Sequence, residues 1–180
     1  MKRFLTLKHY QIFGIGIAFF ALFSLEIIFI DTPIINFITE LAMLLVFISL
    51  FVGWYYSAGT ELFKLNLNHD ILNLKKFKIS IFILTVFSIF LLVSYVVNYF
   101  NYSENMPNNG NLFLLLILFD FTYIFCIAYC ATFIAKNLKA LELQKPVVFS
   151  EYIIDIFLIW FFILGIWYIQ PRLNKLFDKS

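Results

Sequence analysis

FILGIWYIQPRLNKLF, residues 162–177, decides how this chain is to be read. It starts as membrane-grade sequence and ends with Pro171, Arg172 and Lys175. It closes an apolar run that covers residues 152–170. One reading takes this run as a helix that crosses a bilayer and carries its basic tail across. The other turns the run near Leu164-Gly165 and brings it back to the side from which it entered. Gly165 would supply an unusual backbone angle for such a turn. Trp167 and Tyr168 would then meet the interface beside Arg172. A turn within lipid must be sheltered by other protein, because hydrocarbon satisfies no backbone polar group.

Working outward, the chain has 180 residues, 63% of them hydrophobic, with a mean hydropathy of +0.92. A soluble domain sits near half apolar, and a short chain cannot hide this much apolar surface in an aqueous core. Apart from residues 152–170, four apolar runs stand out: 10–30, 34–58, 79–100 and 112–135. At about 1.5 Å per residue, roughly 20 residues match a hydrocarbon core of about 30 Å. The expected fold is therefore an all-α membrane protein forming a single integral membrane domain over residues 1–180. It would have four transmembrane helices plus a fifth apolar segment that is re-entrant, interfacial or spanning. The basic N-terminus reads as the start of an uncleaved first helix. Thr32 reads as an N-cap with Pro33 as the first helical residue.

Lysine and arginine in the short loops set orientation. Lys2, Arg3 and Lys8 precede the first run; Lys64, Lys75, Lys76 and Lys78 lie in the polar stretch 59–78; Lys136, Lys139 and Lys145 follow the fourth run. The connections at 31–33 and 101–111 carry none. This alternation puts the N-terminus in the cytoplasm. It favours re-entry of the fifth segment, since a spanning segment would strand Arg172, Lys175 and Lys179 outside. Trp54, Tyr55 and Tyr56 read as an inner aromatic belt, and Tyr95, Tyr99 and Tyr102 as an outer one. Within 59–78, Asn68 reads as the cap of a short surface helix. There Leu72 and Phe77 would lie on the membrane, and Lys75, Lys76 and Lys78 would face anionic headgroups.

Three carboxylates lie inside apolar runs without a basic partner at their depth: Glu26, Glu40 and Asp120. An ionised acid there costs on the order of 3 kcal/mol on insertion scales. They form a candidate proton or cation site, with polar packing through Thr39, Ser24, Thr122 or Tyr123 as the simpler account. Glu151 and Asp155 open the fifth segment, and a re-entrant chain would return Arg172 to their level as a candidate cytoplasmic ion pair. Helix N-terminal acids complementing the dipole are the alternative. Cys126 and Cys130 with Ala131 and Ala135, and Gly14 with Ala18, read as small residues for close helix packing. No catalytic set, metal set or cofactor motif emerges. His69-Asp70 lacks a nucleophile in a distinctive context, and a net charge of +2 implies no nucleic acid.

The run YCATFIAKNLKALELQKPVVFSEYIIDIFLIWFFILGIWYIQPRLNK, residues 129–175, resembles the C-terminal part of small uncharacterised polytopic inner-membrane proteins of Bacteroidetes-type bacteria. Members show A-K-x-x-K, an E-L-Q-like loop, then W-F-F-P-I-G-I-W and Q-P-R-x-N-K. The matching residues are Lys136, Lys139, Glu142, Gln144, Trp160, Gly165, Trp167, Gln170, Pro171, Arg172 and Asn174. Residues 54–78 are similar in the same way. This chain has Ile163-Leu164 where others often have Pro-Ile, which weakens the case for a sharp turn. The resemblance implies a bacterial inner-membrane location and no activity.

The leading expectation is an accessory, scaffold or assembly subunit of a bacterial inner-membrane complex. It would act through helix contacts and a basic cytoplasmic face, with the lipid bilayer and other membrane proteins, or further copies of itself, as partners. The alternative is a small oligomeric proton- or cation-coupled transporter or channel using Glu26, Glu40 and Asp120, in which Asp120→Asn would abolish flux. A further alternative is a membrane-disrupting effector.

Overall fold

A computed structural model of the protein describes residues 32–66, 73–100 and 110–177, with positions 10, 11, 14, 17, 18 and 21 of the first apolar run. Among the described residues there is no strand, and five continuous helices form: α1 Pro33–Leu65, α2 Leu74–Phe100, α3 Gly110–Leu143, α4 Phe149–Trp160 and α5 Phe162–Phe177. Three of these are long and apolar enough to cross a membrane: Ile34–Leu65, Leu74–Phe100 and Asp120–Leu143.

The helix ends follow local chemistry, with several departures from the sequence reading. Thr32 is the N-cap of α1 and Pro33 its first residue, but the Thr32 hydroxyl makes no capping bond. Its backbone carbonyl accepts from the N–H groups of Ile35 and Asn36 instead, at 3.1 and 3.2 Å. The expected end near residue 58 is passed. α1 continues through Gly59 to Leu65 and stops where Asn66 turns extended and donates its N–H to the Leu62 carbonyl at 3.1 Å. Residues 59–62 are buried, so packing overrides their polar composition. α2 likewise starts at Leu74 rather than 79, because the Asn73 side-chain oxygen caps the N–H groups of Lys75 and Lys76 at 3.0 and 3.2 Å. α3 runs on to Leu143 and ends at Gln144, whose φ of 53° is the left-handed conformation that closes many helices. The surface helix expected at Asn68, with His69 and Asp70, lies outside the described residues.

Contacts between aromatic rings and small residues order the helices. Phe37 on α1 stacks with Tyr95 and Tyr99 on α2, and Gly59 on α1 meets Phe77 on α2, so α1 and α2 are antiparallel. Phe77 pairs with Phe133 and Phe87 with Tyr123, so α2 and α3 are antiparallel too. Asn66 bonds Asn137 at 3.1 Å, where α1 and α3 run parallel.

The core occupies the half of the bundle that holds the α1 C-terminus, the α2 N-terminus and the α3 C-terminus. Trp54, Tyr55, Ala58 and Leu62 of α1 meet Phe77, Ile81 and Leu84 of α2 and Cys126, Cys130, Ala131, Ala135 and Leu138 of α3. Three expectations need correction here. Trp54 and Tyr55 are core residues and not an interfacial belt. Phe77 does not lie on the membrane: its ring fills the space a Cβ at Gly59 would need, 2.2 Å away, and stacks on Phe133 with centroids 4.4 Å apart. The small residues of α3 are buried, but Gly14 and Ala18 of the first run are exposed.

Outside this core the helices present apolar side chains outward, among them Ile34, Ile38 and Phe47 on α1 and Phe82, Val86 and Phe90 on α2. The interior holds Ser57, Thr60, Glu61, Asn137 and Gln170. This arrangement is compatible with insertion in a membrane.

The fifth apolar segment is two helices. α4 and the part of α5 from Gly165 meet at a bend of 116°. The break falls at Phe161, whose backbone leaves helical geometry at φ −82°, ψ 63°. Gly165 is one turn later, and its φ is not positive. Its contribution is space rather than angle. A Cβ there would stand 1.5 Å from the backbone oxygen of Leu158, so the bend closes only around a residue without a side chain.

Candidate functional site

The bend leaves polar groups that need partners, and α1 supplies them. The Ile159 carbonyl would bond the N–H four residues on in a continuous helix; here it accepts from the Tyr55 hydroxyl at 2.9 Å. The Trp54 indole N–H donates to Gln170 Oε1 at 2.8 Å, and Gln170 Nε2 donates to Asn174 Oδ1 at 3.1 Å. Phe162 packs edge-on against Phe51 and Trp54. The turn is thus sheltered by protein on its α1 side. Ile154, Phe157 and Phe161 face outward from it, and Trp160, Trp167, Tyr168 and Pro171 are exposed.

The open end of this hairpin is tied by Arg172. Its Nε and Nη2 donate to the two Glu142 oxygens, both at 2.6 Å. Its Nη1 and Nη2 donate to Asp155 Oδ1 and Oδ2 at 2.5 and 3.0 Å. One guanidinium therefore joins the last turn of α3, the middle of α4 and the middle of α5, using four of its five N–H donors. Asp155 is buried, while Arg172 and Glu142 keep part of their surface open. Burial alone would lower the Arg172 pKa, but the bonds to Glu142 and Asp155 outweigh it and raise it.

Of the groups read as a candidate ion pair, the structure brings Asp155 and Arg172 together and sends Glu151 elsewhere. Lys145 Nζ donates to Glu151 Oε1 at 2.9 Å, and the Val148 N–H donates to Glu151 Oε2 at 2.9 Å. The Lys145 bond, then the backbone bond, lower the Glu151 pKa. Glu151 fills the return half of a capping box; Val148 has no side-chain oxygen for the other half.

The three carboxylates of the apolar runs are not assembled into one site among the described residues. Glu26 lies outside them. Glu40 accepts a short hydrogen bond from the Tyr95 hydroxyl, which ties α1 to α2 beside the Phe37–Tyr99 stack. Asp120 is exposed on α3 next to Phe121 and close to Phe125. No group of three or more His, Cys, Asp or Glu that could hold a metal ion is found among the described residues.

Sequence reasoning noted Glu142 and Gln170 only as motif residues and Tyr95 only as a belt residue, and missed their bonds to Arg172, Trp54 and Glu40. Gln170 carried a usable signal, because a carboxamide inside an apolar run needs a partner. Comparison with protein-family models, with curated proteins and with solved structures found no match for this chain.

Proposed function

We propose that this chain is an accessory or assembly subunit of a bacterial inner-membrane complex, acting through helix–helix contacts. The observation that carries this reading is Asp120. It stands about 15 Å along α3 from Gly110, at 1.5 Å per residue, at one edge of an outward arc that continues round the helix through Ile124, Phe121 and Phe125, which are 48%, 68% and 73% exposed. A carboxylate facing hydrocarbon costs on the order of 3 kcal/mol. A helix carrying a donor would remove that cost and bury the two rings. Elsewhere in the bundle, three other polar pairs hold each other: Glu40 with Tyr95, Gln170 with Trp54, Arg172 with Asp155. These are spent on structure, whereas Asp120 stands on the outer surface of α3, within reach of a partner from outside.

In this reading the N-terminus and the Lys75–Lys78 turn are cytoplasmic, and the α4–α5 pair enters and leaves on that same side. The 116° bend and the return of Arg172 to Glu142 support it, since Glu142 ends α3 where α4 begins. All the basic residues then fall on one face.

The test is co-purification. The tagged chain is extracted in mild detergent and sized, and its companions are identified by mass spectrometry. A companion in fixed ratio, retained by Asp120→Asn but lost by Asp120→Leu, is the expected result. A homogeneous homo-oligomer without companions would replace this reading with that of a transporter or channel.

A further inference from the structure

The start of α2 carries a groove of about 440 Å³ lined by Leu74, Lys75, Lys78, Ile79 and Phe82. Lys75, Lys78, Ile79 and Phe82 follow the spacing i, i+3, i+4, i+7, so they form one stripe along the helix. The opposite stripe, Phe77, Ile81 and Leu84, is the face buried in the core. The groove therefore looks away from the bundle, with Ile79 49% and Phe82 68% exposed.

Its two ends differ in chemistry. The first turn presents two ammonium groups, and the next two turns present apolar surface. Among the described residues no carboxylate lines it. Among the described residues neither Lys75 nor Lys78 has an ion-pair partner, whereas Lys64, Lys145 and Arg172 are each paired with an acid. In the second groove on the same end of the molecule, beside Arg172 and Lys175, the guanidinium is already held by Glu142 and Asp155.

We infer that the groove at the start of α2 binds one anionic phospholipid, its phosphate between Lys75 and Lys78 and an acyl chain along Ile79 and Phe82. This rests on the reading above that α2 enters the bilayer at this end. The geometry then matches a lipid along its length. Lysines in the first turn sit at headgroup level, with their stems lying along apolar surface. Ile79 and Phe82 lie about 6 to 10 Å further along the helix axis than Lys75, at the level where acyl chains begin. A soluble phosphate would use the ammonium groups but leave Phe82 uncovered.

The full-length chain is purified in a neutral detergent and mixed with phosphatidylglycerol or phosphatidylcholine of equal chain length, and bound lipid is counted by native mass spectrometry. One phosphatidylglycerol is retained in preference to phosphatidylcholine. Lys75→Gln with Lys78→Gln lowers its retention by about thirtyfold, the effect expected of two interfacial lysines. Lys139→Gln with Lys175→Gln removes the same charge elsewhere and leaves retention within about twofold. Phe82→Ala lowers retention while keeping the headgroup preference, and glycerol phosphate does not displace the lipid. Equal retention of the two lipids, an equal loss in the Lys139/Lys175 control, or displacement by glycerol phosphate overturns the inference. The count is made on the isolated chain, so it is independent of whether a companion protein exists. Resistance of the chain to extraction by alkaline washing of membranes checks the bilayer reading separately.

Discussion

Arg172 is chemically the most specific residue in the described part of the chain, because it satisfies two carboxylates from two other helices at once. Removing it leaves the buried Asp155 carboxylate unpaired beside Glu142. With part of the cluster open to solvent, Arg172→Ala should cost about 2 kcal/mol rather than the larger cost of a fully buried pair. Arg172→Lys keeps the charge but loses the planar fork, so it should fall between the wild type and the alanine variant. In an Asp155→Ala background the Arg172→Ala cost should shrink by about 1 kcal/mol. Thermal melts in detergent, followed by size-exclusion fluorescence, measure the wild type and these variants. Strict additivity would mean that the pair is not coupled. The Asp155 half of this cluster was legible in the sequence, since a returning chain brings Arg172 back toward the start of its own segment. The Glu142 half was not, because Glu142 belongs to another helix, 30 residues away.

At the scale of elements, the contact between α1 and α2 depends on an absent side chain. Gly59 lies inside a continuous helix, where glycine costs about 1 kcal/mol relative to alanine. It is tolerated because the Phe77 ring takes the place of its side chain. Gly59→Ala should therefore destabilise the protein despite its better helix propensity, by about 1 to 3 kcal/mol for overpacking. Phe77→Leu in the same background should recover part of that loss, as the smaller side chain lets the new methyl in. Thermal midpoints of the two single variants and the double variant decide the matter. If Gly59→Ala raised the midpoint, propensity would outweigh packing and the contact would be looser than described. Apolar periodicity located α1 and α2 but misplaced the ends facing each other. Residues 59–62 are helical because they are buried in the core, and α2 starts early because Asn73 caps it; the first of these causes, burial, is invisible to a reading along the chain.

At the scale of the whole molecule, the path of the last segment sets the side of the C-terminus. A bend of 116° sheltered by Tyr55 and Trp54 makes a returning chain the expected topology. A reporter fused after Ser180 should then signal from the cytoplasm; a purely external signal in the wild type would sink this topology. Gly165→Ala forces a Cβ into the Leu158 backbone and should shift part of the population to an external signal or to degraded protein. Tyr168→Phe, on an exposed position of the same helix, should leave the cytoplasmic signal intact.

The sequence by itself determined that the chain is helical, that its apolar runs have membrane length, and where its basic residues alternate. These properties are local. Hydropathy adds residue by residue, and a helix satisfies its own backbone whatever surrounds it. Tertiary structure alone decided where the last segment bends, at Phe161 rather than at Leu164-Gly165, and it gave Gly165 a steric role instead of a conformational one. It also moved Trp54, Tyr55 and Phe77 from the expected interface into the core. The physical reason is distance along the chain. The bonds that shelter the bend join residues 104 and 116 positions apart, and a break in a helix is stable only where a donor such as the Tyr55 hydroxyl reaches the carbonyl it frees.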